Sequence, residues 1–134
     1  MYRLILGLVV LTVACDSPTE PEEARRLGYN PEIVAPDTVS AGETFTVRVV
    51  TWDTGCYKAG GVDVMQAENV VTIVPYHVRN EEVGTCTLIA NFSFEHELRI
   101  RFNAVGPGRL MVVGRQIGGV AAESWVVHHD VVVQ

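Results

Sequence analysis

The chain has very little lysine. Lys58 is the only lysine among 134 residues, and the arginines alternate with acidic residues instead of forming a basic patch. The formal net charge is −6 at pH 7. Binding to nucleic acid requires clustered lysine and arginine side chains that neutralise phosphates. The composition therefore excludes a nucleic-acid partner.

Catalytic signatures and helical patterning are also missing. The sequence contains no G-x-S-x-G, H-E-x-x-H, P-loop or dinucleotide-binding glycine motif. The pairs Gly60-Gly61 and Gly118-Gly119 do not open a helix whose amides could hold a phosphate, so we interpret them as turns. No segment keeps an apolar period near 3.6, which excludes the long helices that cover a parallel sheet. We therefore predict a protein that is not an enzyme and uses no cofactor.

An apolar segment near the N-terminus ends at a cysteine. Arg3 precedes a run over residues 4–14, and Cys15 follows directly. This pattern is typical of a secretory signal. The run is shorter than the roughly 20 residues that span a bilayer, which disfavours an uncleaved anchor. The segment resembles a bacterial lipoprotein signal peptide, although Thr12 stands where such signals usually carry leucine.

This resemblance implies both a modification and a location. Cleavage after residue 14 would leave Cys15 as the new N-terminus, with acyl chains such as palmitate on its sulfur and amine. The protein would then be held to a membrane of the bacterial cell envelope through its lipidated N-terminus, facing the periplasm or the surface. The alternative is an ordinary signal peptide that leaves Cys15 as a free thiol.

Two further cysteines, Cys56 and Cys86, follow the signal. Export would carry them into an oxidising compartment, where two thiols in a small domain usually pair. Neither the C-x-x-C spacing nor the four ligands of a structural metal site are present. We predict a disulfide between them, which in the chain-entropy model would stabilise the fold by about 3 to 4 kcal/mol.

Composition divides the chain into three parts. Residues 1–14 are the signal, and residues 15–30 are rich in proline and glutamate with almost no apolar content. Such a segment cannot bury enough surface to order itself, so we predict a flexible tether. Residues 31–134 form one domain in this interpretation, which is a suitable length for a single core.

The domain has the pattern of β-strands throughout. Apolar and polar residues alternate, and turn residues recur at regular spacing. Pro36 indicates an edge or a switch between sheets, and Pro75 indicates an edge or a bend. The predicted strands cover residues 33–39, 43–52, 62–67, 69–79, 96–103, 109–114 and 124–133, with a hairpin at Glu68-Asn69. The predicted core includes Phe45, Val47 and Val49 facing Leu98, Ile100 and Phe102.

The last strands resemble the end of an immunoglobulin-like domain. Gly106-Pro107-Gly108 turns the chain into one strand, and a closing strand follows. The resemblance covers about residues 33–133 and implies an all-β fold, an antiparallel immunoglobulin-like β-sandwich of about seven strands. The chain departs from true immunoglobulin domains because Cys56 and Cys86 lie at loop ends. The resemblance therefore implies the architecture and not a recognition function.

The histidines are the remaining candidates for chemistry. His96 falls in register with an apolar face, where packing and one satisfied ring nitrogen explain it without a further role. A second interpretation joins His96 to His77, and to Met65 or Met111, as a site for copper, which imidazole and thioether ligands suit.

A second histidine pair lies near the C-terminus. His128 and Asp130 share one strand face and could cooperate in proton transfer, whereas His129 points the other way. A polar surface stripe also explains this pair.

We therefore expect a non-enzymatic cell-envelope lipoprotein, a membrane-anchored binding or structural module that meets a protein partner through its loops or a strand edge. The alternative is an envelope metal-binding protein of copper type that uses His77 and His96. A small hydrolase is a third and weaker hypothesis.

Overall fold

Residues 25–116 and 124–134 are described by a computed structural model. The signal segment, Cys15 and Gly118-Gly119 lie outside these residues. Strands make up most of the described chain, and no helix occurs in it. In chain order the strands are β1 Arg25–Leu27, β2 Tyr29–Val34, β3 Thr38–Val39, β4 Thr44–Asp53, β5 Tyr57–Ala67, β6 Val70–Arg79, β7 Phe92–Arg101, β8 Gly106–Arg115 and β9 Ser124–Val133.

The all-β class is confirmed, but the purely antiparallel immunoglobulin-like sandwich is not. The nine strands form one mixed sheet that curves into an open half-barrel, in the order β1-β6-β8-β2-β4-β7. Strand β9 joins β8 and β3, and β5 joins β6. The pairs β6·β8, β3·β9 and β2·β8 are parallel. Alternation in a sequence predicts which residues form strands, but it does not encode which strands become neighbours.

Both prolines lie where a strand changes partner. Pro36 separates β2, which pairs with β4, from β3, which pairs with β9. Pro75 lies in β6 between Ile73, the last residue paired with β8, and Tyr76, the first paired with β1. Proline has no N–H to donate to a ladder, so it fits a position where one partner strand ends and another begins.

The predicted core is confirmed. Phe45 lies opposite Ile100 and Val47 opposite Leu98, in the antiparallel pair of β4 and β7. Phe45 also packs against the fully buried Phe102, with ring centroids 5.3 Å apart. Residues from β3, β6, β8 and β9 complete this single cluster: Val39, Val71, Ile73, Leu110, Val112, Val131 and Val133.

The predicted boundary of the tether is wrong. Residues 25–30 lie in β1 and at the start of β2, so the sheet begins by Arg25 instead of residue 31. Local composition underestimates this segment because its partners are distant in sequence: Arg26 pairs with His77, and Tyr29 pairs with Trp52. In the described part of the chain, no helix has the length and apolar character needed to cross a bilayer.

Candidate functional site

The inward faces of three strands become polar at the same end of the molecule. Side chains alternate across a strand, so the face that carries Val47 and Val49 in β4 continues to Thr51 and Asp53. The inward face of β6 ends at His77 in the same way, and the first fully buried residue of β7 is His96, two positions after the half-buried Phe94. Together with Arg26 of β1, these four residues form what we call the buried network: Arg26, Thr51, Asp53, His77 and His96.

Hydrogen bonds connect the network in one line. His77 Nδ1 lies 2.7 Å from Asp53 Oδ2, and His77 Nε2 lies 2.7 Å from Thr51 Oγ1. Thr51 Oγ1 is also 3.3 Å from His96 Nε2. One assignment satisfies every proton: His96 Nε2–H donates to Thr51, the Thr51 hydroxyl donates to His77 Nε2, and His77 Nδ1–H donates to the carboxylate.

Asp53 is a buried carboxylate with several partners. Arg26 pairs with both of its oxygens, with Nε 3.1 Å from Oδ2, and the Thr54 backbone N–H donates to Oδ1 at 2.7 Å. Burial by itself raises the pKa of Asp53, but the hydrogen bonds from His77, Arg26 and Thr54 outweigh it and hold the pKa below its usual value. Asp53 is therefore an anion, and the Arg26 guanidinium is its counter-ion within the network.

His96 is held in its neutral form. Burial lowers the pKa of this imidazole, and the nearby His77 lowers it further. The two rings stack with centroids 6.0 Å apart and planes 13° apart. A neutral His96 agrees with the proton assignment above, in which it donates a single Nε2–H to Thr51.

The backbone of Gly28 closes over the network. A Cβ at this position would lie 2.6 Å from Thr51 Cβ and 2.7 Å from His77 Cε1, so only glycine fits without displacement. Hydroxyl, imidazole and carboxylate stand here in the order that nucleophilic triads use. However, Thr51, Asp53 and His77 are each 0% exposed. The hydroxyl therefore has no contact with solvent in this conformation.

The structure brings His77 and His96 together, as the metal hypothesis required, but not the methionines. Met65 is exposed on β5, and Met111 lies in β8 between the buried Leu110 and Val112, so alternation turns it to the outer face. Within residues 25–116 and 124–134, no group of three or more histidine, cysteine or acidic residues is arranged to hold a metal ion.

The C-terminal histidines lie on a different part of the sheet. His128 and Asp130 are exposed on β9, where Arg109 Nε lies 2.7 Å from Asp130 Oδ1. The hydrogen bond from Arg109 lowers the pKa of Asp130. His129 Nε2 faces Asp37 at 3.2 Å. Asp130 therefore has an arginine partner, and the arrangement is that of a polar surface stripe.

The disulfide between Cys56 and Cys86 is confirmed. It joins the start of β5 to the loop that precedes β7, with Cα atoms 5.0 Å apart. Backbone hydrogen bonds reinforce the connection: Gly55 N–H donates to Thr87 at 3.1 Å, and Asn80 N–H donates to Cys56 at 2.8 Å. The bridge thus fixes a long connection to the same end of the sheet as the buried network.

Sequence reasoning identified two members of the network and missed three. The missed residues are Arg26, Thr51 and Asp53. A signal for two of them was present, because Thr51 and Asp53 interrupt an inward apolar face at successive inward positions. Nothing in the sequence pattern links Arg26 to Asp53, since that pairing depends on where β1 joins the sheet.

No known protein family, curated protein or solved structure matches this chain.

Proposed function

We propose that this protein is a lipoprotein of the bacterial cell envelope, anchored to a membrane through acylated Cys15, and that its all-β domain is a non-enzymatic binding or structural module. The signal-like residues 1–14 and the cysteine that follows them support the anchor. The protein partner would meet the domain at its loops or at a strand edge, as many β-domains do.

The observation that carries the proposal is the pairing of Cys56 with Cys86. Stable disulfides are typical of exported proteins and rare in the cytosol, so the bridge supports export. It also accounts for two of the three cysteines, which leaves Cys15 as the thiol available for acylation.

Two structural features support a module without catalysis. The buried network satisfies its own polar groups, and its Thr51 hydroxyl has no contact with solvent. The core clusters inward residues from β4 and β7 with those from β6, β8 and β9. This supports the finer proposal of an immunoglobulin-like two-layer arrangement in which β2 and β3 are one strand divided at Pro36.

Metabolic labelling with a fatty acid tests the anchor. In a bacterial host that processes lipoproteins, the wild-type chain should incorporate labelled palmitate and Cys15→Ser should incorporate none, because acylation needs that thiol. Cys56→Ser is the matched control for loss of a cysteine and should remain labelled. Equal labelling of the wild type and Cys15→Ser would disprove the proposal.

One observation favours the second candidate, a copper-type metal site. The Nε2 atoms of His77 and His96 lie 2.7 and 3.3 Å from the same hydroxyl oxygen, so two soft-metal ligands converge on one point. The absence of a third suitable ligand among the described residues weighs against it.

A further inference from the structure

The chain enters the sheet at the pole of the molecule that carries the disulfide. Arg25, the first described residue, pairs with Val78, and β6 ends one residue later at Arg79. Residues 80–91 then form the connection to β7, which we call the stapled loop because Cys86 lies within it. The N-terminal end of the described chain and this loop therefore lie at the same end of the sheet.

The tip of the stapled loop is apolar and exposed. Leu88 is 82% exposed and Ile89 is 67% exposed. Neither packs onto the core, although Cys56–Cys86 and the Gly55–Thr87 hydrogen bond fix the backbone immediately before them. Just after them, Asn91 N–H donates to the Ile89 carbonyl at 2.9 Å. The loop thus holds two large apolar side chains in water, directly after a backbone segment that the disulfide ties to the domain.

We propose that the stapled loop inserts Leu88 and Ile89 into the interface of the phospholipid bilayer that holds the protein. This inference rests on the proposed acylation of Cys15. Nine residues separate Cys15 from Arg25, and a chain of that length extends at most about 30 Å. The stapled loop lies at the same end of the sheet as Arg25, so it is the part of the domain that the anchor keeps nearest to the membrane.

The positively charged side chains around the loop favour binding to a lipid surface over binding to an apolar protein groove. Arg25 and Lys58 pair with Val78 from the two sides of β6, and Arg79 follows it. These cations can contact lipid phosphates while the apolar tip enters the interface. Glu81 and Glu82 also lie in the loop and offset part of this positive charge. The main attraction to the membrane is therefore insertion of the apolar side chains, because the anchor keeps the loop at high local concentration near the bilayer.

The opposite pole provides an internal control. Val105 is 74% exposed and lies just before β8, whose Arg109 pairs with Val70 at the far end of β6. It is an exposed apolar residue of similar accessibility that the anchor would keep away from the membrane.

Tryptophan quenching by brominated phospholipid tests the proposal. The full-length acylated protein is reconstituted into vesicles of phosphatidylethanolamine and phosphatidylglycerol with brominated chains, as Leu88→Trp, Ile89→Trp or Val105→Trp. After subtraction of the wild-type signal from Trp52 and Trp125, quenching at 88 or 89 should exceed that at 105 by about twofold or more. Two loop variants are included so that one misfolded variant does not decide the result.

Equal quenching at the two poles would overturn the proposal and would favour a protein partner for the loop. Labelled palmitate in the same preparation reports separately on the anchor. If the protein carries no acyl chain, the proposed function fails, but the loop can still be tested. The same variants are mixed with the vesicles, and the vesicle-bound fraction is isolated by flotation. Preferential quenching at 88 in that fraction supports insertion, and its absence refutes it.

Discussion

At the scale of single residues, His77 has the most demanding position. It is 0% exposed, it contacts Asp53 and Thr51 through its two nitrogens, and its ring lies 4.8 Å from that of Phe94. At an exposed position, loss of a side chain usually costs only a few tenths of a kcal/mol. His77 differs because this last inward position of β6 is covered by Gly28.

Substitution of His77 by alanine should therefore destabilise the protein strongly. The change opens a cavity, removes the acceptor of the Thr51 hydroxyl and removes one of the donors to Asp53, at a cost on the order of 3 kcal/mol. The exposed His128→Ala is the matched control and should stay within about 0.5 kcal/mol of the wild type. Denaturant unfolding of the three proteins measures the difference.

The same samples test whether the protein binds copper through His77 and His96. Thermal unfolding with and without copper should give equal midpoints for the wild type, because the buried network already satisfies both histidines. A rise in midpoint with copper that is absent from His77→Ala would contradict our account and favour the second candidate.

At the scale of elements, β1 acts as a strap across the network. Arg26 reaches Asp53 and lies over the Tyr57 ring at 3.5 Å, and Gly28 brings the backbone against Thr51 and His77. Three separate elements, β1, β4 and β6, are thereby joined by one buried carboxylate. A strand of three residues has little pairing energy of its own, so these side-chain contacts hold it.

Replacement of Gly28 by alanine should loosen this strap. The new Cβ would lie under 3.0 Å from Thr51 and His77, and the forced displacement should cost about 1 to 3 kcal/mol. Gly61→Ala is the matched control, since a Cβ there meets nothing within 4 Å. Unfolding free energies should separate the two variants, and limited proteolysis near Arg26 should speed up in Gly28→Ala alone. Equal stability of the two would show that the packing at Gly28 is not required.

The elements themselves could largely be predicted from the sequence. The strand over 124–133 and the hairpin at Glu68 have the predicted positions, and Glu68 has the positive φ of 54° that a tight turn uses. The parallel pairing of β6 with β8 could not be predicted, because alternation is the same in parallel and antiparallel neighbours. Gly60-Gly61, predicted as a turn, instead lies within β5 where its register with β6 shifts.

At the scale of the whole molecule, the two poles differ in chemistry. One end of the core is apolar and centred on Phe102, whereas the other contains the buried network, the disulfide and the stapled loop. The site could be predicted only in part. His77 and His96 can be recognised in the sequence as histidines within apolar strands. Their convergence on Thr51 could not be predicted, because it depends on how three strands pair. In our account the polar pole is the one that faces the membrane.

Intact mass of the protein extracted from membranes tests the central claim most directly. Our account predicts a chain that begins at Cys15, carries the added mass of acyl chains, and gains two alkylated thiols only after reduction, because Cys56 and Cys86 are bridged. A soluble exported chain of unmodified mass, with a Cys15 that is alkylated without reduction, would contradict it.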